Sequence, residues 1–105
     1  MSDLFRVKAN PTFPATVDIP IIGGEPRPLV LEMRHRRKKD LAAFLESLRQ
    51  INQDEAVRQI VAGWHNVDAA FDVDALDDLL QEHPHAAAEI VSAYVREVAE
   101  AKRKN

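Results

Sequence analysis

Apolar residues recur at two spacings along the chain, and the switch between them falls near residue 36. In the first third the period is two. Leu4 to Lys8 alternates, with Phe5 and Val7 on one side. Val17, Ile19 and Ile21 share a face of a second run, and Leu29, Leu31 and Met33 alternate with Val30, Glu32 and Arg34 in a third. Such alternation marks half-buried strands. Pro11 and Pro14 break the chain between the first two runs, because each lacks a backbone donor. Pro20 places the second strand at an edge or at its own end. Ile22 to Pro28, with Gly23-Gly24, is turn chemistry. The expectation is a small antiparallel sheet of two to three strands, which needs a cover on its apolar face.

From residue 38 the period becomes that of a helix. Leu41, Phe44, Leu45, Leu48 and Ile51 predict an amphipathic helix over 38–52. Asp54 is a candidate N-cap for a second, whose stripe of Val57, Ile60, Val61 and Trp64 ends near Gly63 or shortly after. Asp72 caps a third, with Phe71 and Leu76 placed as a hydrophobic staple across its start. Pro84 stops that helix and suits the first turn of a fourth, striped by Ala87, Ile90, Val91, Tyr94, Val95 and Val98. The polar tail from Ala101 to Asn105 is expected to fray. Segregated strands and helices give an α+β fold class. It is a small N-terminal antiparallel sheet followed by a four-helix C-terminal region. A single domain is expected over 1–105, β-rich over 1–35 and helical over 38–103.

Composition is that of an ordinary globular chain, 46% apolar and 30% charged with a formal net charge of −3, which gives no global pull toward nucleic acid. The distribution is uneven. Residues 1–58 carry ten Lys/Arg against eight Asp/Glu, whereas residues 59–95 carry seven acids and no Lys or Arg. Such asymmetry marks either a face meant for a partner or a solvated acidic helix surface. Cysteine is absent, which removes disulfides, thiolate zinc sites and cysteine nucleophiles together. Met1 to Asn10 has no apolar stretch of signal-peptide type, and no run approaches the ~20 apolar residues that span a bilayer. A cytoplasmic location in the cell is expected.

Catalytic chemistry is hard to find. His83 and His85 flank Pro84 and lack the i,i+4 spacing that sets two ligands on one helix face. His35 sits in a basic run and His65 follows Trp64. Asp72-Val73-Asp74 begins like a calcium loop but continues with Leu76 and with Asp77 where glycine is required; acids there suit a helix N-terminus. Gly23-Gly24 precedes prolines and opens no helix, so it is a turn and not a phosphate cradle. None of Ser2, Ser47, Ser92, Thr12 or Thr16 sits in a nucleophile elbow. Carboxylate pairs fall on solvent faces, where nothing would shift their pKa for acid–base work. No catalytic, cofactor or metal site is assigned, and the chain is expected not to be an enzyme.

Binding is more legible. Arg34-His35-Arg36-Arg37-Lys38-Lys39 packs five cations into six residues beside a helix N-terminus, where the dipole opposes positive charge. A solvated loop, an acidic partner and phosphate contact all remain open for Arg36, Arg37, Lys38 and Lys39, although no reader motif or stacking aromatic accompanies them. Trp64 reads as a core anchor or a binding residue. Asp74, Asp77 and Asp78 supply the acidic face of the third helix.

The order of these signals resembles the small tail assembly chaperones of long-tailed bacteriophages and their prophage relatives. The resemblance runs through Asn10-Pro11-Thr12-Phe13-Pro14-Ala15-Thr16-Val17, Ile19-Pro20, the Gly23-Gly24 turn, and the strand Leu29 to Met33 with its basic extension into Leu41 to Phe44. It continues through Trp64-His65-Asn66-Val67, the Phe71 to Leu80 helix, the His83-Pro84 stop, and the last helix ending Ala101-Lys102-Arg103-Lys104-Asn105. It implies a protein that coats a tape-measure protein, keeps it soluble and helps recruit tail tube protein in the bacterial host cell. This chain would be the shorter of two forms where a frameshift makes an extended one. Self-association is expected. The family carries over no binding residues. Two other readings stay open: a structural tail or virion accessory protein, and a nucleic-acid-binding regulator acting through residues 34–39.

Overall fold

Residues 4–99 are described in this computed structural model. They form a three-stranded antiparallel sheet and four helices, an α+β arrangement. In chain order these are β1 (Thr12–Ile19), β2 (Arg27–Arg34), α1 (Lys38–Ser47), α2 (Gln53–Ile60), β3 (Val61–Trp64), α3 (Val73–Glu82) and α4 (Ala86–Ala99). The sheet order is β1-β2-β3. The expected continuation of the last helix to residue 103 and its polar tail lie outside the described residues.

The β1–β2 hairpin follows from the alternation. Val17, Ile19, Leu29, Leu31 and Met33 are buried on one face, while Pro14, Thr16 and Asp18 point to solvent from β1. Thr12 stands opposite Arg34 and Ile19 opposite Arg27. Pro20 lies just past the end of β1, and the Gly24 N–H donates to the Ile21 carbonyl at 3.0 Å. That turn puts Gly23 at φ +79°, a left-handed position that glycine reaches without steric cost.

Four local expectations need correction. Pro14 does not break the chain but sits inside β1, opposite Glu32. An edge strand tolerates it because alternate N–H groups face away from the sheet. Leu4 to Lys8 forms no strand, and Phe5 and Val7 are 95% and 96% exposed; their alternation has no apolar face to bury against. The helix predicted over 38–52 ends at Ser47, whose hydroxyl donates back to the Phe44 carbonyl at 2.6 Å and competes for a helix acceptor. The N-cap of α2 is Asn52, not Asp54: its Oδ1 accepts from the Glu55 N–H at 2.8 Å.

The largest departure is β3. The stripe Val57, Ile60, Val61 and Trp64 fits helical spacing, yet α2 stops at Ile60 and the chain turns directly into a strand against β2. Gly63 in a helix would cost about 1 kcal/mol relative to alanine, whereas Val61–Trp64 as a strand covers the open edge of β2. Trp64 pairs with Leu31 and Val61 with Met33, leaving Ala62 as a bulge. The Asn66 side chain prolongs this edge. Its Oδ1 accepts from the Val30 N–H and its Nδ2 donates to the Pro28 carbonyl, both at 2.9 Å.

The helices roof the sheet. α4 packs on β1 and against α2, and α3 packs on both α2 and α4. One continuous core joins the inner sheet face to Phe44, Val57, Ile60, Leu76, Leu80, Ile90 and Tyr94. Asp72 caps α3 as expected, with Oδ1 accepting from the Ala75 N–H at 2.7 Å. His83 closes α3 just before Pro84.

Candidate functional site: an apolar groove with an acidic rim

The turn end of the hairpin and α3 diverge around a groove of about 520 Å³. Ile19, Ile21, Leu29, Trp64, Val67 and Leu79 give it apolar walls. Asp68, Asp78 and Glu82 stand on its rim, with Arg27 and His83 as the other ionisable groups. Ile19 and Leu29 are buried at its floor, and Ile21, Trp64, Val67 and Leu79 are half-buried around it. Trp64 is fixed rather than free. Its indole N–H donates to the Ala69 carbonyl at 2.8 Å, and its ring meets Phe71 edge-on with centroids 5.1 Å apart. It is therefore a packed anchor whose ring also lines the groove.

The acidic helix divides its residues. Asp78 reaches the groove rim, Asp74 is exposed one turn earlier, and Asp77 turns the other way to Arg58 on α2 at 2.8 Å. Arg58 also meets Glu55 at 3.0 Å.

The basic run divides as well. Arg36 folds inward: one guanidinium nitrogen donates to the Gln59 carbonyl at 2.6 Å, another to the Tyr94 hydroxyl at 3.0 Å, and the group lies 3.9 Å over the Phe44 ring. Tyr94, fully buried, passes the chain on by donating to the Arg34 carbonyl at 2.9 Å. Gln59 lies in the last turn of α2, where the helix dipole favours a cation. The cation that looks misplaced beside α1 thus neutralises the end of α2. Arg37, Lys38 and Lys39 remain exposed around the start of α1, whose N-cap, Arg37, makes no side-chain capping bond. They follow β2 at the end away from the hairpin turn, and none of them lines the groove. The structure brings Trp64 and Asp78 together and keeps the exposed cations apart from them.

A polar relay across the sheet had no sequence signal. Glu32 on β2 accepts from the Thr12 hydroxyl at 2.8 Å and meets His65 Nε2 at 2.6 Å. The partners are 20 and 33 residues away, beyond any local spacing rule. The His65 hydrogen bond, and then that of Thr12, hold the Glu32 carboxyl below its ordinary 4.5. Glu55 is lowered too, first by Gln59 and then by Arg58. Neither shift serves acid–base work. Both shifts favour the ionised form, the direction opposite to that of a general acid working at neutral pH. The carboxylate accepts from the Thr12 hydroxyl, and its lowered pKa makes it a weak base toward that alcohol. Among the described residues no group of three or more ionisable side chains is arranged to hold a metal, and no helix is long and apolar enough to cross a membrane.

The chain is a small α+β domain with a pinned core and an open, apolar, acid-rimmed groove. A family model described as phage tail assembly chaperone matches residues 1–105, the whole chain, and the protein belongs to that family. No curated protein and no solved structure matches it.

Proposed function

We propose that the chain is a tail assembly chaperone that holds the phage tape-measure protein in the groove between the hairpin turn and α3, and helps bring tail tube subunits to it. The observation that carries this reading is the family match over the full length. The groove supports it physically. A client helix presents apolar side chains at i, i+3, i+4 and i+7, and an apolar trough receives such a stripe. Asp68, Asp78 and Glu82 on the rim favour clients with basic flanks, a contribution to encounter and register more than to affinity. Arg37, Lys38 and Lys39, remote from the groove, make a second charged contact region for an acidic stretch of the same client or for tube protein. The role is binding without catalysis, in the cytoplasm of the bacterial host where client and chaperone are made.

Co-expression with the tape-measure protein of the same locus tests this. Soluble client and a co-purifying complex are expected, both lost on Leu79→Asp, which places a charge in the groove wall, provided the variant keeps the wild-type circular dichroism spectrum. Insoluble client with no complex would end the proposal. Finding the chain at stoichiometric levels in purified particles would favour a structural role instead.

A further inference from the structure

Three stretches far apart in sequence meet at the end of the sheet away from the hairpin turn, and each brings cations. Thr12 opens β1 opposite Arg34 at the close of β2. The segment before β1, with Arg6 and Lys8, is tied there by a bond from the His35 N–H to the Pro11 carbonyl at 2.9 Å. The β2–α1 junction supplies Arg34, Arg37, Lys38 and Lys39. α4 arrives through Tyr94, whose hydroxyl donates to the Arg34 carbonyl and accepts from Arg36, and Arg96 follows two residues later. Over residues 4–11, 34–40 and 94–99 these seven cations stand against two carboxylates, Asp40 and Glu97. Among the described residues none of the seven makes an ion pair. Arg6 reaches the neutral Asn10 Oδ1 at 3.2 Å. Glu32, the carboxylate of β2, is already taken up by Thr12 and His65. The groove rim at the other end of the sheet carries Asp68, Asp78 and Glu82. A net charge of −3 therefore hides a basic end and an acidic end.

We propose that the basic end binds a single strand of nucleic acid, with Arg37, Lys38, Lys39, Arg6 and Lys8 on its phosphates and Phe5 stacked on a base. The aromatic missing from the basic run itself comes from the segment before β1. Phe5 is 95% exposed and is followed at once by Arg6. It lies six residues before Pro11, so it stays within ~21 Å of the junction. An open concavity runs along Arg37, Lys38, Lys39, Asp40 and Ala42, where a backbone can lie. A polynucleotide presents one anion per nucleotide at regular intervals, which suits cations drawn from separate stretches. Guanidinium forks such as those of Arg6 and Arg37 take phosphate oxygens in pairs. Phe5 decides the class of partner. An acidic protein segment would use the cations and leave the ring in water, and a duplex hides its base faces, whereas an unpaired base offers a face to any aromatic beside a cationic track. An acidic stretch of client would compete for the same cations, so the two partners exclude each other there.

Fluorescence anisotropy of the client-free chain with a labelled oligouridylate of about 16 nucleotides tests this. An oligothymidylate of the same length, run beside it, tells an RNA strand from a DNA strand. About four phosphate contacts predict a ~50-fold loss of affinity between ~50 mM and ~200 mM salt. Arg37→Gln with Lys38→Gln and Lys39→Gln should flatten that loss to less than ~5-fold. Arg6→Gln with Lys8→Gln should flatten it in part, because the segment before β1 joins the same site. Phe5→Ala should weaken binding ~5–100-fold and leave the salt dependence as it is, since stacking releases no counterions. Arg49→Gln, past the end of α1, should change nothing. All these positions are exposed, and thermal melting checks that each variant folds. No binding of either strand at ~50 mM salt, or binding indifferent to either set of cations, would overturn the proposal. So would a Phe5→Ala variant equal to wild type, or polyglutamate that competes as well as unlabelled oligouridylate; both would assign the basic end to an acidic protein segment. The groove takes no part in this binding, so client capture and strand binding each survive the failure of the other.

Discussion

Replacing Arg36 by alanine removes a side chain that ties the β2–α1 junction to α1, α2 and α4 at once. Three interactions go: the 2.6 Å bond to the Gln59 carbonyl, the 3.0 Å bond to the Tyr94 hydroxyl, and the face-on contact with Phe44. A hydrogen bond from a charged donor is worth ~1.5–3 kcal/mol, and a cation over an aromatic face ~0.5–1 kcal/mol at a partly exposed site. The three share one group and do not add fully. Tyr94 keeps its bond to the Arg34 carbonyl, and water can reach the vacated space because the site is only partly buried. A loss of about 2–3 kcal/mol follows from the lower half of those ranges. For a domain of this length that lowers the melting temperature by roughly 10–20 °C. Arg37→Ala, one residue on and exposed, should change it by no more than ~0.5 kcal/mol. Arg36→Lys should recover little, because an ammonium cannot serve two acceptors in the plane of a guanidinium fork. Differential scanning calorimetry of the three variants gives the answer. Equal melting temperatures for Arg36→Ala and Arg37→Ala would refute the internal role of Arg36. The comparison also governs any test of the basic run, since a binding defect in an Arg36 variant reports misfolding unless Arg37, Lys38 and Lys39 reproduce it.

Three further outcomes are expected. Asn66→Ala loses two backbone partners at the sheet edge and should cost about 1–2 kcal/mol in urea unfolding, with Asn66→Asp no better because its carboxylate faces the Pro28 carbonyl. Asp72→Ala and Asn52→Ala should each cost about 1 kcal/mol as lost N-caps, while Asp54→Ala, inside α2, should cost clearly less. Glu32 and Glu55 have folded pKa values below the ordinary 4.5, so their stabilisation is complete above that pH and fades as pH falls through the folded values. His65→Ala should move the Glu32 carboxyl upward in an NMR titration and shrink that acid-side loss of stability; an unmoved titration would show that the imidazole contact is not made in solution.

The pattern of the chain was enough to determine the fold class, the hairpin faces, the Asp72 cap and the break at Pro84, because each depends on neighbours within a few residues. Alternation names a buried strand face, and a capping side chain reaches only its own first turn. Asn52-Gln53-Asp54-Glu55 carried a cap signal of the same local kind, and Asn52 three residues before Glu55 is where it lay. Tertiary structure decided what spacing could not. Val57, Ile60, Val61 and Trp64 satisfy a helix and a helix–strand junction equally well, and the open edge of β2 chose between them. Leu4 to Lys8 alternates without a sheet to join. Arg36 is indistinguishable from Arg37 in sequence, yet one meets the end of α2 and the other meets water. The groove is likewise a product of packing: its walls come from both strands of the hairpin, the segment after β3, and α3, and only their meeting turns separate apolar positions into one receptive surface.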